Sequence, residues 1–270
     1  MQLTVSTWNI NSVRLRVEQV KRFLKERRPD VLCLQETKCP DDKFPLKELQ
    51  AAGYPFIVHK GNKGYNGVAI LSRYPFAATD VLEMCGRQDA RHITVTLSKE
   101  AKGAAGTVIH NFYVPAGGDI PDPGLNEKFA HKLQFLRELR ERGGRLANGA
   151  PAILVGDLNV APLEHDVWSH KQLLDVVSHT PVETEAIETL RIESGWTDAM
   201  RHLRPQPEKI YSWWSYRSPD WRAADKGRRL DHIWLSENLT AALRSTEVTR
   251  ETRGWERPSD HVPVTAVLEF

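Results

Sequence analysis

The segment AILVGDLNVAP, residues 152–162, is an apolar run that stops abruptly on an acid at Asp157. Leu158 intervenes, so Asp157 and Asn159 point the same way if the strand continues. A carboxylate and an amide would then share a cleft. The carboxylate can accept a proton from water, and the amide, which cannot ionise, can orient a phosphate or an attacking water. The same pattern recurs outward along the chain. Asn9 follows LTVSTW, Glu36 follows VLCLQ, Tyr113 ends TVIHNFY, Asp260 and His261 precede the last strand, and Asp231 heads a strand of its own. One acid at a strand end is often only a helix cap or a turn residue. So many polar groups at strand ends favour side chains from separate segments converging on one cleft.

Strand signals of alternating or continuous apolar residues fall at 3–9, 31–35, 55–59, 67–72, 91–97, 107–114, 152–157, 230–236 and 263–270. Between them, VEQVKRFLKERRPD places Val17, Val20, Phe23 and Leu24 on one helical face before Pro29 stops it. LNEKFAHKLQFLRELRERGG (125–144) carries Phe129, Leu133, Leu136 and Leu139 inward and is expected to close at its glycine pair. Helices interspersed with this many strands predict an α/β protein with two packed mixed sheets flanked by helices. No repeat, low-complexity tract or linker interrupts the 270 residues, so the expectation is a single domain over 1–270.

Composition narrows the class. Hydrophobic residues at 40% and charged residues at 27% are those of an ordinary globular chain, and no apolar run approaches the length of a membrane span. The start, MQLTVSTWNINSVR, lacks the basic, apolar and small-residue succession of a secretory leader, which favours the cytoplasm. Cys33, Cys39 and Cys85 form no CxxC unit and are read as reduced thiols. The net charge of +2 does not announce a polyanion partner, but local basic clusters stand at 21–28, 60–63, 137–145 and 222–229. The first and third lie on amphipathic helical patterns and read as solvated faces. The fourth follows YSWWSYRSPDW (211–221) and interleaves with aromatics. Such a mixture can stack on and neutralise nucleic acid, whereas aromatics at strand spacing are more often core; Trp214 and Trp234 are read as core.

QETK (35–38) sets Glu36 just beyond a buried strand, which suits an oxygen ligand for a hard cation such as magnesium. SDHVPV (259–264) supplies another acid beside a histidine able to donate as a cation. No GxxxxGK[ST], HExxH or GxSxG run exists, which removes P-loop nucleotide hydrolysis, zincin and serine-hydrolase chemistry.

Taken in order, TWNINSVR, LQETK, YNGVAILSR, NFYVPAGG, GDLNVAP, YSWWSYRS, RRLDHIW and SDHVPV resemble the motif set of the exonuclease III family of abasic-site endonucleases, within the endonuclease/exonuclease/phosphatase superfamily. The resemblance covers nearly the whole chain. It implies a four-layer α/β sandwich with the site at one edge between the sheets. It implies that Glu36 and Asp260 hold Mg2+, for which Mn2+ could substitute, with Asn9 and Asn11 nearby. Asp157 would activate the attacking water, Asn159 and Tyr113 would orient water and phosphate, and His261 would donate to phosphate oxygens while Asp231 fixes its ring. The implied substrate is double-stranded DNA with abasic sites or 3′ ends, cut by a monomer. Trp213 and Leu230 would line a pocket for an extruded baseless sugar, and Arg222, Lys226, Arg228 and Arg229 would contact backbone phosphates. Arg91 and Lys38 are further substrate-contact candidates.

Two positions depart from the family pattern. Ala116 stands in YVPAGGD where many relatives have an asparagine, and Arg228 stands where some carry a bulky aromatic. Superfamily phosphatases acting on inositol phosphates or lipids share most of the catalytic set, but they carry Pro-Ala-Trp-Cys-Asp-Arg where this chain reads GRRLDHIW. A DNA-binding relative without catalysis is disfavoured by the intact Glu36, Asp157, Asn159, Asp231, Asp260 and His261.

Overall fold

The computed structural model describes residues 1–147 and 149–270. Its strands, in chain order, are β1 (Gln2–Asn9), β2 (Val31–Gln35), β3 (Phe56–Lys60), β4 (Val68–Ser72), β5 (Phe76–Asp80), β6 (His92–Leu97), β7 (Val108–Tyr113), β8 (Ala152–Asp157), β9 (Thr197–Asp198), β10 (Trp213–Trp214), β11 (Gly227–Arg228), β12 (Asp231–Leu235), β13 (Leu243–Val248) and β14 (Val264–Glu269). One six-stranded sheet runs β13-β14-β1-β2-β4-β3 and the other β5-β6-β7-β8-β12-β9, with β10 and β11 forming a separate two-stranded ribbon.

The sheets pack face to face, and alternation along each strand decides what goes where. On β8, Ile153 and Val155 face the other sheet and meet Val5, Val31, Cys33 and Ile70, whereas Ala152 and Leu154 face outward against Phe135, Leu136, Leu139, Ile187 and Leu190 from two helices. The opposite sheet does the same, burying Leu32, Leu34, Ala69 and Leu71 under Val20, Phe23, Leu24 and Leu49. Both faces of the central strands are therefore covered, which is why they read as near-continuous apolar runs. The result is the helix–sheet–sheet–helix sandwich expected from the sequence. No helix among the described residues is long and apolar enough to cross a membrane.

Each sheet contains one parallel pair, β1 with β2 and β7 with β8, and the other pairings are antiparallel. A parallel pair needs a crossover, supplied here by the helices Val17–Arg27 and Glu127–Ala147. Its consequence is that both strands deliver their carboxyl ends to one edge. The two crossovers thus put Asn9 beside the β2 end that leads to Glu36, and Tyr113 beside Asp157.

One expectation fails locally. The second crossover helix does not close at Gly143 and Gly144 but runs on to Ala147. A Cβ on Gly143 would collide with Ser194 and crowd Leu190. The glycine is therefore needed for close packing against the helix Pro181–Glu193, not as a stop. Trp214 and Trp234 are core, as read from the sequence.

Candidate active site

Three strands of one sheet align their functional residues in a row. Tyr113 on β7 is the register partner of Asp157 on β8, and Asp157 is the register partner of Asp231 on β12. The other sheet contributes from across the sandwich. The Asn9 amide donates to both Glu36 Oε1 and Asp157 Oδ2, each at 2.8 Å, so a single buried side chain ties the two sheets' carboxylates together. Below it, Gln35 donates to Asn111 Oδ1 at 2.6 Å, and Asn111 donates back to the carbonyls of Leu34 and Ala69. These buried bonds fix the spacing of the sheets beneath the site.

The strand β8 ends at Asp157, and Asn159 lies in the left-handed region at φ 54. The two nevertheless meet, by a turn and not by strand alternation. The Asn159 backbone N–H donates to Asp157 Oδ1 at 3.0 Å and its amide to Asp157 Oδ2 at 3.1 Å and Val114 O at 2.9 Å. Glu36, at φ 49, is likewise re-aimed by a sharp turn after its strand.

His261 sits between two acids. Its Nδ1 lies 2.8 Å from Asp231 Oδ2 and its Nε2 3.7 Å from Asp157 Oδ2. Burial alone would drive the imidazolium down, but the charges of Asp231 and then Asp157 outweigh it and carry His261 up to about 10. The ring is a cation at neutral pH. Asp157 is raised, chiefly by burial and against the pull of His261, which makes it a base of more than ordinary carboxylate strength. Burial, followed by the charges of Glu36 and Asp157, keeps the Tyr113 hydroxyl protonated and therefore a donor.

Which groups could hold a metal ion follows from these charges. Asp157, Asp231 and His261 offer atoms within 4.8 Å of one another. Both imidazole nitrogens face carboxylates, however, and a protonated ring has no lone pair to give. Glu36 and Asp260 fit better. Burial raises Glu36, but Lys38 and the Asn9 amide more than compensate, and it stays below the usual carboxylate range. Asp260 is lowered in the same way, with burial outweighed by His261 and by the Trp213 indole, which donates to its Oδ2 at 2.9 Å. Two ionised oxygen donors lining one groove match the preference of a hard divalent cation. Asn11 is adjacent, donating to Asp260 Oδ1 at 3.1 Å and accepting from Lys38 at 2.6 Å.

That groove, of about 770 Å³, continues from Glu36, Asn159, Asp260 and His261 to Trp168, Val177, Trp213, Lys226, Arg228 and Leu230. A concavity of similar size near the helix Val17–Arg27 holds none of the site residues. The structure therefore brings together Asn9, Asn11, Glu36, Tyr113, Asp157, Asn159, Asp231, Asp260 and His261, with Trp213, Lys226, Arg228 and Leu230 on the same groove. The other sequence candidates do not line the groove. Arg229, expected on DNA phosphates, is buried and ion-paired with Asp166 and Asp198 at 2.7 Å each, because alternation along its chain turns it into the interior. Lys38 spends its charge on Glu36 at 2.8 Å, and Arg91 lies over the Tyr113 ring while pairing with Asp89. Arg222 is exposed, beside Trp221.

Sequence reasoning missed Lys132 and Ser212. Lys132 is fully buried, pairs with Glu183, and donates to Asn159 O at 2.8 Å, bracing the turn after Asp157. A lysine next to the apolar stripe of its helix was the available signal. Ser212 Oγ accepts from the N–H groups of Leu230 and Asp231, both at 3.0 Å.

A general base, an imidazolium held by an acid and a pair of ionised metal-ligating carboxylates at the edge of a double-sheet sandwich define a phosphoester hydrolase. Residues 6–261 match the model of the Endonuclease/Exonuclease/phosphatase family. The chain is 31% identical to the exodeoxyribonuclease of Bacillus subtilis (strain 168), with 98% of each covered. The solved AP endonuclease from Archaeoglobus fulgidus superposes with a TM-score of 0.90 at 33% identity, over 99% of this chain and all of that one. A 3′ phosphatase, NExo, from Neisseria, bound to product DNA hairpin, superposes with a TM-score of 0.89 at 33% identity over the same shares. The chain belongs to the endonuclease/exonuclease/phosphatase family, and the nuclease-type hydrolase expected from the sequence is borne out.

Proposed function

We propose that this protein is a Mg2+-dependent DNA repair nuclease that acts as a cytoplasmic monomer with one catalytic domain. It hydrolyses phosphodiester bonds 5′ to abasic sites and removes nucleotides or blocking groups from the 3′ ends of duplex DNA. The observation that carries the reading is the Tyr113–Asp157–Asp231 row facing Asn9, Glu36 and His261, which supplies base, cation and metal ligands around one point. The relatives' activities on DNA ends and abasic sites support the substrate class.

Asp157 takes the proton of the attacking water, and the Asn159 amide and Tyr113 hydroxyl orient water and phosphate. His261, charged and fixed by Asp231, donates to the phosphate oxygens as their charge develops. Glu36 and Asp260 would hold the ion, with Asn9 and Asn11 maintaining their geometry; Mn2+ is a workable substitute. When bound, a divalent ion there supplies Lewis-acid stabilisation of the phosphoryl oxygens and of the departing 3′ oxygen. A labelled duplex carrying one tetrahydrofuran abasic analogue tests the proposal. Incision 5′ to the lesion and digestion from 3′ ends, both abolished by chelator, are expected. Inert DNA alongside release of phosphate from inositol phosphates or lipids would overturn it.

A further inference from the structure

The far end of the groove carries charge that the catalytic scheme does not use. Arg228 reaches from β11 toward the turn after Val176, donating through Nη1 to Val177 O at 3.0 Å and Ser178 Oγ at 2.8 Å. Its guanidinium carbon lies 5.2 Å from the centre of the Trp213 ring. Lys226 covers Trp168 similarly, at 4.6 Å. Among the described residues neither cation has a carboxylate within salt-bridge distance, and Arg228 Nε is buried with no hydrogen-bond partner. The groove's other charges at this end are Arg217 and one acid, Asp119.

This arrangement is held firmly. Glu183, paired with Lys132, accepts from the Ser178 N–H at 3.0 Å, so the turn that Arg228 grips is tied to the lysine bracing Asn159. Trp213 pairs with Arg228 on one side and with His261 on the other. At roughly 5 Å per strand spacing, Arg228 and His261 start about 10 Å apart on backbone flanking one tryptophan. The Arg228 side chain is directed to the Val177–Ser178 turn, and its bonds there fill space next to Trp213, the neighbour of His261.

We infer that Arg228 is a specificity-determining residue that directs this site toward 3′-terminal phosphate monoesters on duplex DNA and away from baseless nucleotides inside a continuous strand. The inference rests on the nuclease reading above and narrows its substrate. A terminal monoester carries close to two negative charges at neutral pH, its second proton leaving near pH 6, whereas an internal diester carries one. The additional charge is favoured at a groove end where Arg217, Lys226 and Arg228 outnumber the one lining acid, Asp119. An internal nucleotide must instead push its sugar into space the arginine occupies and break its two bonds to the turn. In the reaction, water oxygen bonds to phosphorus as the bond to O3′ breaks. One water proton passes by way of Asp157 to the departing O3′, the other stays on the released inorganic phosphate, and the strand is left with a 3′-hydroxyl.

Steady-state kcat/KM on a hairpin with a recessed 3′-phosphate and on the same duplex with an internal tetrahydrofuran tests this, using the Mg2+-loaded full chain. The native protein is expected to favour the 3′-phosphate at least tenfold. Arg228→Leu should reduce that preference at least tenfold and raise several-fold the inorganic phosphate concentration that inhibits by half, and Arg228→Lys should restore most of both. Preference of the native protein for tetrahydrofuran would overturn the inference. So would an unchanged preference in a leucine variant that melts like the native protein or, if leucine fails to fold, an unchanged preference and unchanged phosphate inhibition in Arg228→Gln. Hydrolysis of neither substrate would overturn the nuclease reading along with it.

Discussion

The two ends of the groove are built in opposite ways. At the catalytic end almost every charged atom is committed to another protein group: Asp157 to Asn9 and Asn159, Asp231 to His261, Asp260 to Trp213 and Asn11, Glu36 to Asn9 and Lys38. At the far end, Lys226 and Arg228 rest on tryptophan faces with no salt-bridged acid among the described residues. The first arrangement holds a reaction geometry before substrate arrives, so no reorganisation accompanies bond cleavage. The second leaves an electrostatic demand that only substrate meets. Chemistry and substrate choice therefore reside on different structures, the edge of the paired sheets and the small ribbon beside it, and each can be altered with limited effect on the other.

The largest expected effect lies at the committed end. Asp157→Asn keeps the shape but removes the base and one of its two accepting oxygens, and single-turnover rates on DNA should fall by about a thousandfold or more, while DNA affinity changes by less than about tenfold. Near-native rates would remove Asp157 from the reaction and dissolve the contrast just drawn.

Next in size is a pair of adjacent residues. Arg228 and Arg229 are adjacent, yet one faces the groove and the other is buried against Asp166 and Asp198. Arg229→Ala strands the buried Asp198 and leaves Asp166 with Arg201 alone, so denaturant unfolding should report a loss of about 3–5 kcal/mol, as for other broken buried ion pairs. Lysine should not rescue it, since the bidentate contact with Asp166 needs the guanidinium fork. A loss below about 1 kcal/mol, the scale of exposed pairs, would mean that Arg229 is not locked in the interior.

These two arginines also show what sequence could and could not disclose. The sandwich and the catalytic edge were legible because each depends on short-range pattern: apolar runs that stop on Asn9, Gln35 before Glu36, Tyr113 and Asp157 mark strand ends, and strand ends share an edge. β13, LRSTEV, was not legible, since an edge strand with exposed Arg244, Ser245 and Glu247 has little apolar alternation to detect. Nor were β9, β10 and β11, at two residues each, too short to show a period. The fate of Arg229 was invisible for a related reason. Its partners Asp166 and Asp198 are distant in sequence and meet it only after the chain has folded.

The third prediction concerns how tightly the committed end holds its proton. His261 titrates at about 10 in the folded protein, against about 6.5 in an unfolded chain. A pKa raised by folding contributes stability that is complete below the unfolded value and is lost as pH rises through the folded one. Metal-free protein should accordingly lose stability between about pH 6.5 and 10, with a slope of at most about 1.4 kcal/mol per pH unit for the one proton. Urea unfolding across that range should show the slope in the native protein and a flatter line in His261→Gln. An equal slope in both would mean that Asp231 and Asp157 do not hold the imidazolium as the geometry indicates.

The smallest effect belongs to the uncommitted end. Lys226 is exposed, covers Trp168, and makes no ion pair among the described residues, so its charge is available to a passing phosphate. One such contact releases about one counterion from duplex DNA, so Lys226→Ala should weaken binding a few-fold at low salt and reduce the slope of log affinity against log salt by about one. Turnover at saturating DNA should be almost unchanged, because nothing at the Asp157 edge depends on this side chain. The contrast with Asp157→Asn is the informative part: one substitution should change rate with little change in affinity, the other affinity with little change in rate. If Lys226→Ala lowered saturated turnover as strongly as it lowered affinity, the ribbon would be part of the catalytic geometry, and the division between the two ends of the groove would fail.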